Sequence, residues 1–272
     1  MSIATAITAA QGKVADCYTA ISNKGGTLPA TQNLANMPTA IGSIPSDKIK
    51  YGVSIDNILG NTDSSGVYRP PSGSYAVDFT GVKNFTSFFR CKFYYEPVSS
   101  VSFPDLETLT GYLYYSFTNT NITSLSFPKL QTISGSMQDT FAYCYSLKTV
   151  DFPLLTTISS SYVFDNTFNN DSSLETVYFT SLSSVTSSYA FMGTFASCSK
   201  LSDVYFNALT TTSFGSNTNP FMNILQYTGT TTTHTLHFPS NLESTIQGLT
   251  GYPLFGGTNG YVVLSFDLPQ TS

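Results

Sequence analysis

Three carboxylates, Asp151, Glu175 and Asp203, fall near the same place in successive copies of a repeated pattern, and two carboxyls at a suitable separation are all that glycoside hydrolysis requires. No set of residues follows them at fixed offsets to form a pocket that would desolvate one and leave the other charged, so the chain is expected to be no enzyme. The two histidines, His234 and His237, are three apart. On a strand that spacing puts them on opposite faces, and no cysteine or carboxylate cluster stands beside them to complete a tetrahedral metal site. Both are read as surface residues, with neither metal nor cofactor expected. The run 256–260, Gly-Gly-Thr-Asn-Gly, lacks the lysine and the following helix of a phosphate loop and reads as a turn.

Four cysteines, Cys17, Cys91, Cys144 and Cys198, raise the question of disulfides. Cys144 and Cys198 occupy one position of the repeat two copies apart, about 10 Å at roughly 4.8 Å per copy, which is beyond disulfide reach. They are expected as free core thiols, as suits a reducing compartment.

What remains is binding chemistry. Asp78, Ser102, Ser126, Asp151, Tyr178, Tyr205 and His237 each precede a repeated phenylalanine and form the outward column of a strand array. Its larger members, Asp151, Tyr178, Tyr205 and His237, are the first candidate patch: aromatic bodies with polar tips suit protein or sugar contacts, and equally suit a tyrosine ladder that stabilises the sheet. A second candidate strip is formed by the turn residues Tyr112, Tyr114, Tyr115, Tyr143 and Tyr145, continuing to Tyr162 and Tyr189.

These residues are positioned by a repeat. Phenylalanines recur at Phe79, Phe103, Phe127, Phe152, Phe179, Phe206 and Phe238, separated by 24, 24, 25, 27, 27 and 32 residues. Two positions before each stands Val77, Val101, Leu125, Val150, Val177, Val204 or Leu236; apolar residues recur three and six positions after. A second aromatic follows at Phe93, Phe117, Phe141, Phe168, Phe195 and Phe221. Units this short cannot bury their own apolar faces and must stack, which predicts a mainly β solenoid of about seven rungs over residues 75–240. The Pro after Phe103, Phe127, Phe152 and Phe238 is expected to close the strand.

Phe141-Ala142-Tyr143-Cys144 through Leu147 to Val150-Asp151-Phe152-Pro153, and Phe195-Ala196-Ser197-Cys198 through Leu201 to Val204, resemble the leucine-rich repeats of the BspA-like type, with Phe in place of the usual strand Ile. The resemblance covers about three fifths of the chain. It implies a binding or adhesion scaffold of the kind found on cell surfaces and in phage structural proteins.

Ahead of the repeats, residues 2–24 read as a helix with Ser2 as N-cap and Gly25-Gly26 as its stop. Ile3, Ile7, Ala10, Val14, Cys17 and Ile21 alternate at three-four spacing, a seam that either joins copies of the chain or packs within it. Residues 1–45, with a second helical stretch at 31–44, resemble the N-terminal segments of phage tail-fibre and related virion proteins. That resemblance implies attachment and homo-oligomerisation, in a virion assembled in the host cytoplasm. The first residues lack the basic start of a signal peptide, whereas a bacterial surface adhesin, the alternative, would be expected to carry one. Residues 46–74 read as a linker or N-terminal cap and 241–272 as a C-terminal cap. No stretch reaches the 18 apolar residues of a membrane span. A net charge of −5 disfavours nucleic acid, and with only 10% charged residues the polar surface must come from Ser, Thr, Asn and Tyr. The partners this leaves are other virion proteins or a host-surface protein or glycan.

Overall fold

The computed structural model describes residues 14, 17–19, 74–86, 88–210, 219–249, 252, 255–257 and 261–269. The chain divides into two compact units, Met1–Lys50 and Tyr51–Ser272. In the first, residues 14 and 17–19 are helical, with Cys17 exposed and Tyr18 buried. Ile3, Ile7, Ala10 and Ile21 of the expected seam, and the second helical stretch at 31–44, lie outside the described residues.

The second unit is a β-solenoid. Its first sheet is parallel and built from the Val-x-Phe copies: β1 (Tyr75–Asp78), β3 (Val98–Ser102), β5 (Ser124–Ser126), β7 (Thr149–Asp151), β9 (Thr176–Tyr178), β11 (Asp203–Tyr205) and β12 (His234–Pro239), followed by β13 (Val262–Leu268). The ladder runs β1-β3-β5 and then β7-β9-β11-β12-β13, dividing where the spacing first departs from 24 residues. A second parallel sheet, which the sequence reading did not foresee, stacks β2 (Asn84–Phe85), β4 (Thr108–Leu109), β6 (Thr132–Ile133), β8 (Thr157–Ile158) and β10 (Ser184–Val185). Each of these strands has two residues and turns one inward, Phe85, Leu109, Ile133, Ile158 or Val185.

Period two explains the first sheet. In β5, β7 and β9 only the middle residue is buried. The following Phe lies beyond the strand, yet its amide still donates to the next rung, as Phe103 does to Ser126 and Phe179 to Tyr205. The strands of this sheet ahead of β12 close before the Phe whether or not Pro follows, and β12 runs through Phe238 and Pro239, against the expected role of the prolines. The seven phenylalanine rings stack nearly parallel, 4.3 to 5.3 Å between centroids, and Phe266 of β13 adds an eighth at 6.1 Å. Each of the seven is at most 1% exposed, and full burial of such a side chain is worth roughly 1.5–3 kcal/mol. The region expected as a C-terminal cap thus contributes a further strand of the same sheet, preceded by the helix α1 (Glu243–Gln247).

The third side of each rung is turn-like but ladder-bonded: Phe89, Cys91, Phe93 and Tyr95 donate to the carbonyls of Tyr112, Tyr114, Ser116 and Thr118. Phe93, Phe117, Phe141, Phe168 and Phe195 stack along it. Phe221 does not continue that column. The Phe195 amide donates to Ile224, which sets Leu225 above Phe195, while Phe191 donates to Pro220, and Phe221 stacks on Phe191 at 5.6 Å.

One position before this stack is a column of buried hydroxyls. Ser116, Thr140, Thr167 and Thr194 each donate, at 2.8 Å, to a carbonyl of the preceding rung: Phe89, Leu113, Met137 and Phe164 in turn. Three positions after the stack runs another buried column, Glu96, Thr120, Cys144, Asp171, Cys198 and Thr228. Cys144 and Cys198 are free and fully buried, their thiols donating to the carbonyls of Phe117 and Phe168; burial pushes both thiols up. Cys91 is half-buried and free.

Candidate functional site

Strand register builds the first candidate patch. Asp151 pairs with Tyr178, Tyr178 with Tyr205 and Tyr205 with His237, so the four stand in one outward row. The rings of Tyr178 and Tyr205 lie 5.1 Å apart at 10°, those of Tyr205 and His237 4.2 Å apart at 8°. Rings stacked in this way spend their faces on each other and offer edges and polar tips outward. Asp151 is exposed and Tyr178 is 40% exposed. Desolvation nonetheless raises the Asp151 carboxyl, and desolvation followed by Asp203 raises the Tyr205 phenol.

The two histidines do fall on opposite faces, His237 in the outward row, but His234 is not the surface residue expected. β12 has six residues where β7, β9 and β11 have three, so His234 joins Leu236 and Phe238 on the inward face. It is 1% exposed; its Nδ1 faces the Leu201 carbonyl, its Nε2 has no partner, and burial lowers its basicity. His237 is held from both sides, Nε2 to Asp203 at 2.9 Å and Nδ1 to Asp267 at 3.1 Å, and this contact, more than any other, lowers the Asp267 carboxyl. The clamp joins β11, β12 and β13. Neither aspartate was singled out as its partner, because only the register brings positions 34 and 30 residues away onto one imidazole.

The acid trio is only partly brought together: Glu175 and Asp203 stand on adjacent rungs, the Glu175 carbonyl accepting the Asp203 amide at 3.4 Å, whereas Asp151 stands apart from Asp203. Asp203 pairs with Thr176 and Asp151 with Tyr178, so the backbones of Asp151 and Asp203 stand two rungs and two residues apart, about 12 Å from strand geometry. Glu175 lies one residue ahead of β9, its carbonyl accepting the Ser202 amide. Among the described residues, no group of three or more His, Cys, Asp or Glu is placed to hold a metal ion. Nor is any helix among them long and apolar enough to cross a membrane.

The second candidate strip separates into distinct groups, because each rung has more than one turn and the tyrosines belong to different ones. Tyr112 and Tyr114 cluster with Phe88. Tyr115 hydrogen-bonds Asp139, and its phenol is pushed up to about 12, by burial first and then by that carboxylate. Tyr162 and Tyr189 stack on each other at 5.3 Å. Tyr143 and Tyr145 meet edge to face, and two rungs earlier, at the same corner, Tyr94 and Tyr95 do the same, a pair the sequence did not single out.

That last group sits at a left-handed corner. Tyr95, Asn119, Tyr143, Asn170, Ser197 and Tyr227 all have φ between 58° and 63°. Asn adopts this conformation readily, whereas a bulky side chain there carries strain of order 1 kcal/mol. Packing does not recover it, since Tyr95 is 59%, Tyr143 36% and Tyr227 75% exposed. The signal was in the sequence: two residues after the second aromatic stands Asn or Ser in four rungs and Tyr in the other two, Tyr95 and Tyr143.

Comparison with curated proteins and with solved structures finds no match. The model of the BspA type leucine rich repeat region matches in six copies, over residues 77–195 and 115–235. These spans cover more than half of the chain and coincide with the stacked rungs. The chain therefore belongs to the BspA-type leucine-rich repeat family.

Proposed function

We propose that this is a non-enzymatic binding and structural protein, a tail or capsid-associated component of a phage virion that presents its solenoid to a host or partner surface. The observation that carries the binding part is the outward row Asp151, Tyr178, Tyr205 and His237, a continuous polar-aromatic strip on a rigid sheet. The virion part is supported by the likeness of residues 1–45 to tail-fibre segments. In this reading that segment attaches to the particle and assembles copies of the chain, through Ile3, Ile7, Ala10, Val14, Cys17 and Ile21. Neither nucleic acid, membrane span, metal nor cofactor enters the reading.

The second reading, a bacterial surface or secreted adhesin, is favoured by the repeat family itself. Mass spectrometry separates the two. Peptides of this chain in density-purified phage particles, absent from the washed surface fraction of uninfected cells, are the expected result. The reverse distribution would replace the virion role with the adhesin.

A further inference from the structure

We propose that Tyr94, Tyr95, Asn119, Tyr143 and Tyr145 form a binding site for neutral hexose glycans on the turn side of the first rungs, a face distinct from the Tyr178–His237 strip. The first observation is the misfit of residue to backbone. Tyr95 and Tyr143 hold φ of 61° and 62°, where Asn119 on the intervening rung fits with less strain, and both stay exposed, so burial does not account for tyrosine there. The second is ring geometry. Tyr94 meets Tyr95 at 77° and Tyr143 meets Tyr145 at 79°, edge to face, whereas the strip tyrosines lie within 10° of parallel. Edge-to-face pairs leave aromatic faces open to a ligand; stacked ladders do not.

The two pairs work as one patch. Tyr94 and Tyr95 stand on the first rung and Tyr143 and Tyr145 on the third, at or beside one left-handed corner whose rungs are joined by the bonds of Tyr95 to Thr118 and Asn119 to Ala142. Tyr95 and Tyr143 stand two rungs apart, about 10 Å, with Asn119 holding the same corner between them. None of the five residues carries a formal charge. Open aromatic faces, phenol hydroxyls and an amide, with no charge to satisfy, match a ligand that has apolar C–H faces and a rim of hydroxyls. Successive rings of an uncharged oligosaccharide have that chemistry. A protein epitope is a poorer fit, because no aliphatic side chain in the set provides the dry centre such contacts use.

The test uses the full chain and a panel of neutral hexasaccharides of glucose, mannose and galactose in α and β linkage, read by saturation transfer to sugar protons and by tyrosine emission, which is unobscured because the chain has no tryptophan. The variant is Tyr95→Asn with Tyr143→Asn, the residue that two other rungs already carry at this corner. The expected result is binding of at least one hexasaccharide, weakened more than tenfold in the variant, whose melting temperature is unchanged or higher. Tyr178→Ser with Tyr205→Ser should leave that binding intact, so the site and the strip can fail independently. The proposal is overturned if no hexasaccharide binds, if the Asn variant binds as the parent does, or if the corner variant loses a protein partner and no glycan.

Discussion

Asp171 is a carboxyl in a column that, beyond Glu96 at its first rung, holds small hydroxyls and thiols, and its replacement by Asn should change how stability depends on pH. The side chain is 0% exposed; Oδ1 accepts the Cys144 amide at 2.7 Å and Oδ2 has no partner. Burial raises its pKa well above the ordinary value, against the smaller opposing pull of the Cys144 amide. The folded state therefore keeps a proton that the unfolded chain releases near pH 3.9. Stability is fully present below that pH and falls as pH rises, by about 1.4 kcal/mol per unit until the raised folded value is passed. Asp139, Asp151 and Asp165, the last raised to about 6, add to the fall, while Asp105 and Asp267 are lowered and oppose it. All five remain in Asp171→Asn, so subtracting the two pH profiles isolates Asp171. The variant retains an acceptor for Cys144 and loses only the titration; any packing cost is a constant offset. Urea unfolding by circular dichroism from pH 4.5 to 8, with exchange of the Cys144 amide as a local readout, measures it. The difference between variant and parent should grow in the variant's favour with pH, and parallel profiles would refute the reasoning by showing that the carboxyl is solvated in the fold.

Phe152→Ala should cost about 3–5 kcal/mol as the loss of a fully buried ring, while Asp151→Ala beside it costs little; equilibrium unfolding of both reads this, and equal small losses would mean the ladder is not the core. Gly135→Ala would set a Cβ 1.8 Å from the Gly111 carbonyl oxygen, so a rung must shift, and thermal melting should show a loss of about 1–3 kcal/mol typical of overpacking. Removing residues 1–45 should leave a folded solenoid of lower oligomeric state by sedimentation; a full-length chain that is monomeric at high concentration would remove the assembly role from the Val14 seam. Tyr178→Ser with Tyr205→Ser should weaken binding to host cells or a partner more than tenfold with the circular dichroism spectrum unchanged; unaltered binding would leave this stack to sheet stability.

The Phe ladder was legible because one residue type recurs at near-constant spacing and each copy brings an inward Val or Leu two positions earlier. The second sheet was not, since strands of two residues show a single inward side chain and no alternation to read. Phe221 was misplaced because ring type alone does not identify a column. The offset of four that joins Phe164 to Phe168 and Phe191 to Phe195 would have paired Phe221 with Leu225, as the backbone does. The outward row was readable from period two, but whether its rings lie face to face or edge to face depends on rotamers that spacing does not encode. The clamp on His237 was out of reach for a related reason: its partners come from other rungs at 34 and 30 residues, and 32-residue spacing obscures the alignment there.

Stacking also explains where function can enter such a chain. Each member of the Ser116, Thr140, Thr167 and Thr194 column meets a backbone group supplied by the preceding rung, so its residue type is held by a local demand that repeats from rung to rung. A rung that departs from its column then carries a cost confined to its neighbours, and the departure needs its own cause. Asp171 departs inside, where the cost is a carboxyl with one unpartnered oxygen that pH can expose. Tyr95 and Tyr143 depart outside, where the cost is backbone strain and the return is open aromatic surface. Nearest-neighbour coupling lets the second kind accumulate without threatening the Phe stack. Selection for a ligand would therefore act first on the corners and the outward row, leaving the inward Val-x-Phe pairs untouched.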